Sequence, residues 1–296
     1  MKVIDIHTHL ELHLPGVPQD PQRKRPPRLF MKLYEKMGYS TPLWRSGNYP
    51  EPIRILISLD NQLRLSMASA ENLLAYMDRS GVSVSVAMPI APFVSSQLYL
   101  DKVAGNPRLL AFAGAHPDDT AWPANLRAAM VGGCRGLKIH PIAQQLEPSC
   151  EFYFNLLEEF RAYGKPVLTH TGTFDYFIPR SPCAAYGSPE RFRKLISSFP
   201  DVPFILGHMG IHEREAAIAL ALKYDNVYLE TSFQSAAVIR RAVRQVGRER
   251  VLFGSDWPES EQLIPLKMAR RAAGRDSDLA ERLLWKNAEA LIGPVD

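Results

Sequence analysis

Eight short β-branched or apolar runs recur along the chain, separated by longer stretches of helical period, and this alternation is what most narrows the fold. The runs are Val3–Thr8, Val82–Met88, Leu109–Ala115, Gly136–His140, Pro166–His170, Pro203–Leu206, Val227–Glu230 and Val251–Phe253. Amphipathic stretches lie between them at Ser69–Ser80, Trp122–Val131, Glu151–Tyr163, Pro189–Phe199, His212–Lys223, Ser235–Val246 and Glu261–Ala273, and a further helix over Ser277–Leu291 follows the eighth run. Strand and helix in strict alternation predict βα repeats around a parallel sheet. Eight such units predict a closed (β/α)8 TIM barrel. An open doubly wound sheet usually has about five or six strands and often a glycine-rich first turn, whereas the first run here ends in histidines. Such barrels run to ~200–250 residues as one unit, so 296 residues predict a single domain with an insertion and an extra C-terminal helix.

The insertion is visible as a break in the rhythm. Residues 10–59 carry Pro15, Pro18, Pro21, Pro26, Pro27, Pro42, Pro50 and Pro52, a third of the chain's 24 prolines. Others mark strand exits, at Pro89, Pro117, Pro141 and Pro258. Between Asp20 and Arg54 there are eight Lys and Arg against three Asp and Glu. A structureless loop of that length is uncommon inside a compact domain unless it is a lid or subdomain. Leu29, Phe30, Leu33, Tyr34, Trp44 and Tyr49 give it apolar surface to pack with. Residues 10–59 are therefore expected to form an inserted lid over the barrel mouth, or else a surface excursion or the contact of a homodimer. The local basic charge suits an anionic small-molecule substrate.

Composition closes off other classes. A net charge of +4 gives no footprint for nucleic acid. Three cysteines without a CxxC pair exclude a disulfide framework and a cysteine zinc site. Cys134, Cys150 and Cys183 have no evident base to activate them as nucleophiles. The apolar start is broken at Asp5, and no run approaches the ~18 residues of a membrane span. A cytoplasmic enzyme without membrane contact is the expectation.

Barrel active sites lie at the C-terminal ends of the strands, so the residues that end each run are the ones to inspect. The first run ends in His7-Thr8-His9, the third at His116, the fourth at Lys138 and His140, the fifth at His170, the sixth at His208, the seventh at Glu230 and the eighth at Asp256. Six of the eight histidines sit at strand ends, with only His13 and His212 elsewhere. A spacing of two on a strand puts both imidazoles of His7 and His9 on one face, able to share a cation.

These pieces together resemble the amidohydrolase superfamily of metal-dependent barrels, in particular its amidohydrolase-2 branch with aminocarboxymuconate-semialdehyde decarboxylase and related aromatic-acid decarboxylases. The resemblance rests on Ile4-Asp5-Ile6-His7-Thr8-His9, Gly136-Leu137-Lys138-Ile139-His140-Pro141 and Val167-Leu168-Thr169-His170-Thr171-Gly172. It continues through Phe204-Ile205-Leu206-Gly207-His208-Met209-Gly210, Leu252-Phe253-Gly254-Ser255-Asp256-Trp257-Pro258 and Lys286-Asn287-Ala288-Glu289-Ala290-Leu291. It implies that His7, His9, His170 and Asp256 ligate one divalent metal, most often zinc, and that His208 polarises substrate or moves protons. Asp256 would also carry a proton between water and leaving group. In binuclear members a carboxylated lysine bridges two ions, so Lys138 could hold a second metal together with His170 and His208, or serve as a cation for an anionic substrate. His140 and His116 are left between a second metal, substrate contact and structural hydrogen bonding. Phe174 and Tyr176 are candidate pocket walls, and Arg180 and Arg193 candidate carboxylate partners or plain surface charges. Two reactions share this site. The first expectation is hydrolysis of an ester, lactone or amide by a metal-activated water; the alternative is non-oxidative decarboxylation of an aromatic or unsaturated acid. A catalytically inactive binding barrel would have lost part of the residue set.

Overall fold

Every one of the eight runs contains a strand in the computed structural model, which describes residues 1–11, 20, 51–173 and 182–295. The strands are β1 (Ile4–Thr8), β2 (Val84–Ala87), β3 (Leu109–Ala111), β4 (Ala113–Gly114), β5 (Leu137–Ile139), β6 (Val167–His170), β7 (Phe204–Gly207), β8 (Val227–Glu230) and β9 (Val251–Leu252). All pairings are parallel, in the orders β1-β2-β3 and β4-β5-β6-β7-β8-β9. The third run appears as two short strands because its backbone changes partner in the middle. Phe112 N donates to Ala87 O (2.9 Å) on one side, and Ala113 N donates to Gly136 O (2.8 Å) on the other. Ring closure comes from β1 and the exit of β9, through Ile6 N to Phe253 O (3.2 Å), Asp256 N to His7 O (2.8 Å) and His9 N to Trp257 O (2.8 Å). The fold is the expected TIM barrel.

The barrel interior is a separate apolar cluster. Ile4, Ile6, Val84, Val86, Leu168, Ile205 and Leu252 pack together from β1, β2, β6, β7 and β9, with Phe112 from between β3 and β4, and Ala288 and Ile292 of the C-terminal helix Asn287–Ile292 join them. A larger cluster lies between sheet and helices. Gly136 shows how tightly the interior is filled. A Cβ there would lie 2.5 Å from Phe112 Cζ and 2.7 Å from Pro166 O, closer than carbon can approach either.

Helix boundaries follow their capping residues. Ser69 and Ser235 accept from Asn72 N and Val238 N, and start the helices Ala70–Ser80 and Ala236–Val246. Two helices of two turns or more were not expected. Ser96–Val103 is only two turns long, and only Ser96 and Tyr99 are buried on it, so its periodicity is faint. Glu51–Leu65 starts inside the expected insertion, with Pro52 in its first turn, where a missing N–H costs nothing. Pro52 thus helps open a helix within the expected insertion. Of the rest of the 10–59 insertion, residues 12–19 and 21–50 lie outside the described residues, as do His13, Phe174, Tyr176 and Arg180. No helix among the described residues is long and apolar enough to cross a membrane.

Gly136→Ala should lower stability by about 1–3 kcal/mol, the cost of overpacking a close-packed interior. The midpoint of urea unfolding measures this; a midpoint equal to that of the parent chain would show that the interior has room.

Candidate functional site

The barrel seam carries the chemistry. Register between β1 and β2 shifts between Asp5 and Thr8, an irregularity of the kind that re-aims side chains beside active sites. Asp5 is completely buried and takes hydrogen bonds from Ser255 N (2.9 Å), Ser255 Oγ (2.6 Å) and Gln262 Nε2 (2.7 Å). Burial pushes its carboxyl up to about 6 even so. These bonds tie β1 to the loop after β9, and with it bring His7 and His9 to Asp256.

His7 and His9 are oriented by their Nδ1 atoms. His7 Nδ1 lies 3.0 Å from Glu230 Oε2, and His9 Nδ1 2.7 Å from Met88 O. Both partners are acceptors, so the protons sit on Nδ1 and the Nε2 lone pairs face the other way. There they meet Asp256 Oδ1, at 3.4 Å from His7 Nε2 and 3.2 Å from His9 Nε2. Two nitrogen lone pairs beside one carboxylate oxygen repel each other unless a cation lies among them. This donor set fits a divalent metal through imidazole nitrogen and carboxylate oxygen. Lys138, almost fully buried, places Nζ 2.9 Å from His7 Nε2. Burial lowers the ammonium's affinity for its proton, while Asp256 and Glu230 oppose that fall. Burial likewise holds His7 well below the usual histidine range and His9 at about 3, so both are neutral, as ligation requires.

Glu230 is the residue that the sequence reading passed over. It was noted only as the end of a strand, yet it is the hub of the site. Its carboxylate receives His7 Nδ1, His208 N (2.9 Å), Ser232 Oγ (2.7 Å) and the backbone N–H of Ser232. Burial raises its carboxyl to about 7 against the pull of these donors. Gly254 is what lets it fit, since a Cβ there would stand 2.6 Å from Glu230 Oε1. Because Ser232 gives its proton to Glu230, its oxygen is left to accept from His208 Nδ1 at 2.7 Å. One carboxylate therefore orients His7 directly and His208 through a hydroxyl.

His208 and Asp256 both have φ of 60°, a left-handed conformation that costs a non-glycine residue about 1–3 kcal/mol and clusters at functional sites. Their backbones are held there by Glu230 and by His7 O. Burial raises the Asp256 carboxyl, and Lys138 opposes the rise.

The remaining predicted residues are placed differently. His170 is not part of the converging His7, His9 and Asp256 set; its Nδ1 faces His208 Nε2 at 3.1 Å and its Nε2 lies 3.2 Å from Gly172 O. Burial holds it at about 3. His140 stacks on His170 with ring centroids 4.3 Å apart. His116 is engaged at both nitrogens, with Gln144 O at Nε2 (3.3 Å) and Asp118 N at Nδ1 (3.3 Å). Arg193 pairs with Glu190 on the surface. Cys134 is buried, and burial pushes its thiol up to about 12, away from nucleophilic chemistry.

The chain belongs to the amidohydrolase family, whose model matches residues 4–293. No curated protein matches it in sequence at a significant level. Among solved structures it is similar to 2,6-dihydroxybenzoate decarboxylase from Rhizobium, at 18% identity and a TM-score of 0.69 over 99% of this chain and 98% of that one. It is similar also to 5-carboxyvanillate decarboxylase from Novosphingobium aromaticivorans, in complex with manganese and 4-hydroxy-3-methoxy-5-nitrobenzoic acid (14%, 0.65, 98% and 96%). A third is a probable 2-pyrone-4,6-dicarboxylic acid hydrolase from Acinetobacter baumannii with citric acid bound (14%, 0.60, 99% and 100%).

Glu230→Gln replaces an all-acceptor group with one that cannot receive every donor aimed at it. It should weaken metal binding ~10–100-fold through the loosened His7. Ser232→Ala removes the hydroxyl between Glu230 and His208 but leaves His7 Nδ1 on Glu230, and should leave metal affinity within a factor of about two. Metal titration of the two variants decides: equal affinities would remove Glu230 from its orienting role.

Proposed function

We propose that this chain is a metal-dependent, non-oxidative decarboxylase of an aromatic or unsaturated carboxylic acid, which reverses the order of the two reactions expected from sequence. One observation carries the reading. The buried His7, His9 and Asp256 set, with His208 beside it, stands at the mouth of a barrel whose fold is shared end to end with two aromatic-acid decarboxylases. The dryness of the site supports it: His7 is fully buried, and His9, Lys138, His208 and Asp256 are each no more than 5% exposed. A carboxylate that becomes carbon dioxide loses its charge, and a water-poor site favours that loss.

His7, His9 and Asp256 would hold one divalent ion, with His170 the further nitrogen that the resemblance supplies. Zinc suits the imidazoles, and manganese is held by the Novosphingobium enzyme. When bound, the ion would supply positive charge to fix the substrate's oxygen atoms. Asp256 turns Oδ1 to the two imidazoles, which leaves Oδ2 to carry a proton. His208 has committed its Nδ1 proton to Ser232 and offers an Nε2 lone pair, so it suits a proton acceptor better than a first donor. Asp256 would therefore deliver a proton to the carbon that bears the carboxylate. The bond to the carboxylate carbon breaks, its electron pair returns to the ring carbon, and carbon dioxide leaves.

Hydrolysis of an ester or lactone is the second reading, favoured by the likeness to the pyrone dicarboxylic acid hydrolase. Incubation of the metal-loaded protein with aromatic acids, aryl esters and lactones in H2 18O separates the two. Carbon dioxide without 18O in the organic product is the expected result; 18O in the product without carbon dioxide would replace this reading by hydrolysis.

Asp256→Asn should cost at least ~100-fold in turnover and retain some metal, whereas His208→Ala should retain its ion. A count of two ions per chain, with one lost on His208→Ala, would instead assign His170 and His208 to a second ion and Lys138 to a bridge.

A further inference from the structure

His140 was left open between metal ligand, substrate contact and structural residue, and its hydrogen bonds resolve the choice. Its Nδ1 accepts from Ala143 N at 3.2 Å, so Nδ1 carries a lone pair and the neutral ring must carry its proton on Nε2. The opposite tautomer would set two N–H groups against each other. Gln144 locks this arrangement. Its Oε1 accepts from His140 N (2.7 Å) and Tyr153 Oη (2.8 Å), and its Nε2 donates to Ala115 O (2.8 Å). The ring is held flat against His170 at an interplanar angle of 9°. Among the described residues none accepts from Nε2. Unlike His7, His9 and His208, the residue keeps partial exposure, at the C-terminal exit of β5.

We infer that His140 is a substrate-recognition residue, a fixed Nε2–H donor for an anionic oxygen of the bound acid, and not a metal ligand. A ligand nitrogen needs a lone pair directed at the ion, and the only lone pair of this ring is taken by Ala143 N–H. The choice of an acid as ligand rests on the decarboxylase reading above.

Two measurements on the full chain test it. In 15N spectra of histidine-labelled protein, with His140→Ser used to identify the signals of this ring, Nε2 should be protonated and Nδ1 unprotonated both without metal and with Zn2+. An Nδ1 proton, or a zinc-induced change typical of ligation, overturns the inference. The second is calorimetry with benzoate and with benzamide. His140→Ser keeps an oxygen to accept from Ala143 N–H but has no ring donor. It should bind benzoate about tenfold or more weakly, as for loss of a hydrogen bond to a charged group, with benzamide affinity and metal content unchanged. Unaltered benzoate affinity, equal weakening of both ligands, or a parent chain that does not prefer benzoate overturns it. Benzoate held by the parent and lost in the variant, with no acid decarboxylated, supports His140 and removes only the decarboxylase reading.

Discussion

The closing of the barrel rests on a buried charge. Asp5 sits inside the seam between β1 and the exit of β9, 250 residues from Ser255, which it binds twice. A carboxylate away from water is costly unless its oxygens are satisfied, and the third partner, Gln262, also reaches Ser85 Oγ at 3.1 Å on β2. The charge therefore stabilises only one alignment of the first, second and last strands. That alignment sets His7 and His9 against Asp256.

Above the seam, direction of hydrogen bonding replaces distance as the organising quantity. His7, His9 and His140 each have Nδ1 tied to a protein group of known polarity, and the role of Nε2 follows from it. Acceptors at Nδ1, Glu230 for His7 and Met88 O for His9, turn lone pairs inward. A donor at Nδ1, Ala143 N–H for His140, turns a proton outward. Ser232 relays the polarity of Glu230 to His208. Residues of one type thus acquire opposite chemistry within a few ångströms. A single carboxylate, lodged against Gly254, sets two of them.

This explains what the sequence could and could not disclose. Strands were legible because apolar runs of β-branched residues have few other uses, and strand ends locate the mouth of a barrel. His7, His9, His208 and Asp256 could be placed that way, and they do converge. Glu230 was legible as a strand end but not as a hub, since its role depends on donors from β1, β7 and its own exit loop, which only ring closure assembles. The separation of His116 from His140 was equally hidden. Both precede proline at a strand exit, and only Gln144, which takes His116 at its carbonyl and His140 at its side chain, tells them apart. The helix at Pro52 was hidden for a local reason, because a proline reads as a breaker until it is known to stand in the first turn of a helix.

The same polarity argument bears on the choice of reaction. A hydrolase needs a base near the attacking water and an acid for the leaving group, whereas a decarboxylase needs a carboxylate oriented, stripped of water, and one proton delivered to carbon. The buried Lys138 ammonium favours an anion entering the mouth, as would the Nε2–H proposed for His140. Of the groups around it, Asp256 has an oxygen turned away from His7 and His9, and His208 turns its Nε2 toward His170 Nδ1. On the proposed reading an entering carboxylate would meet Lys138 and His140 at its oxygens and Asp256 beside its carbon. That division of labour would suit the loss of carbon dioxide better than the splitting of an ester.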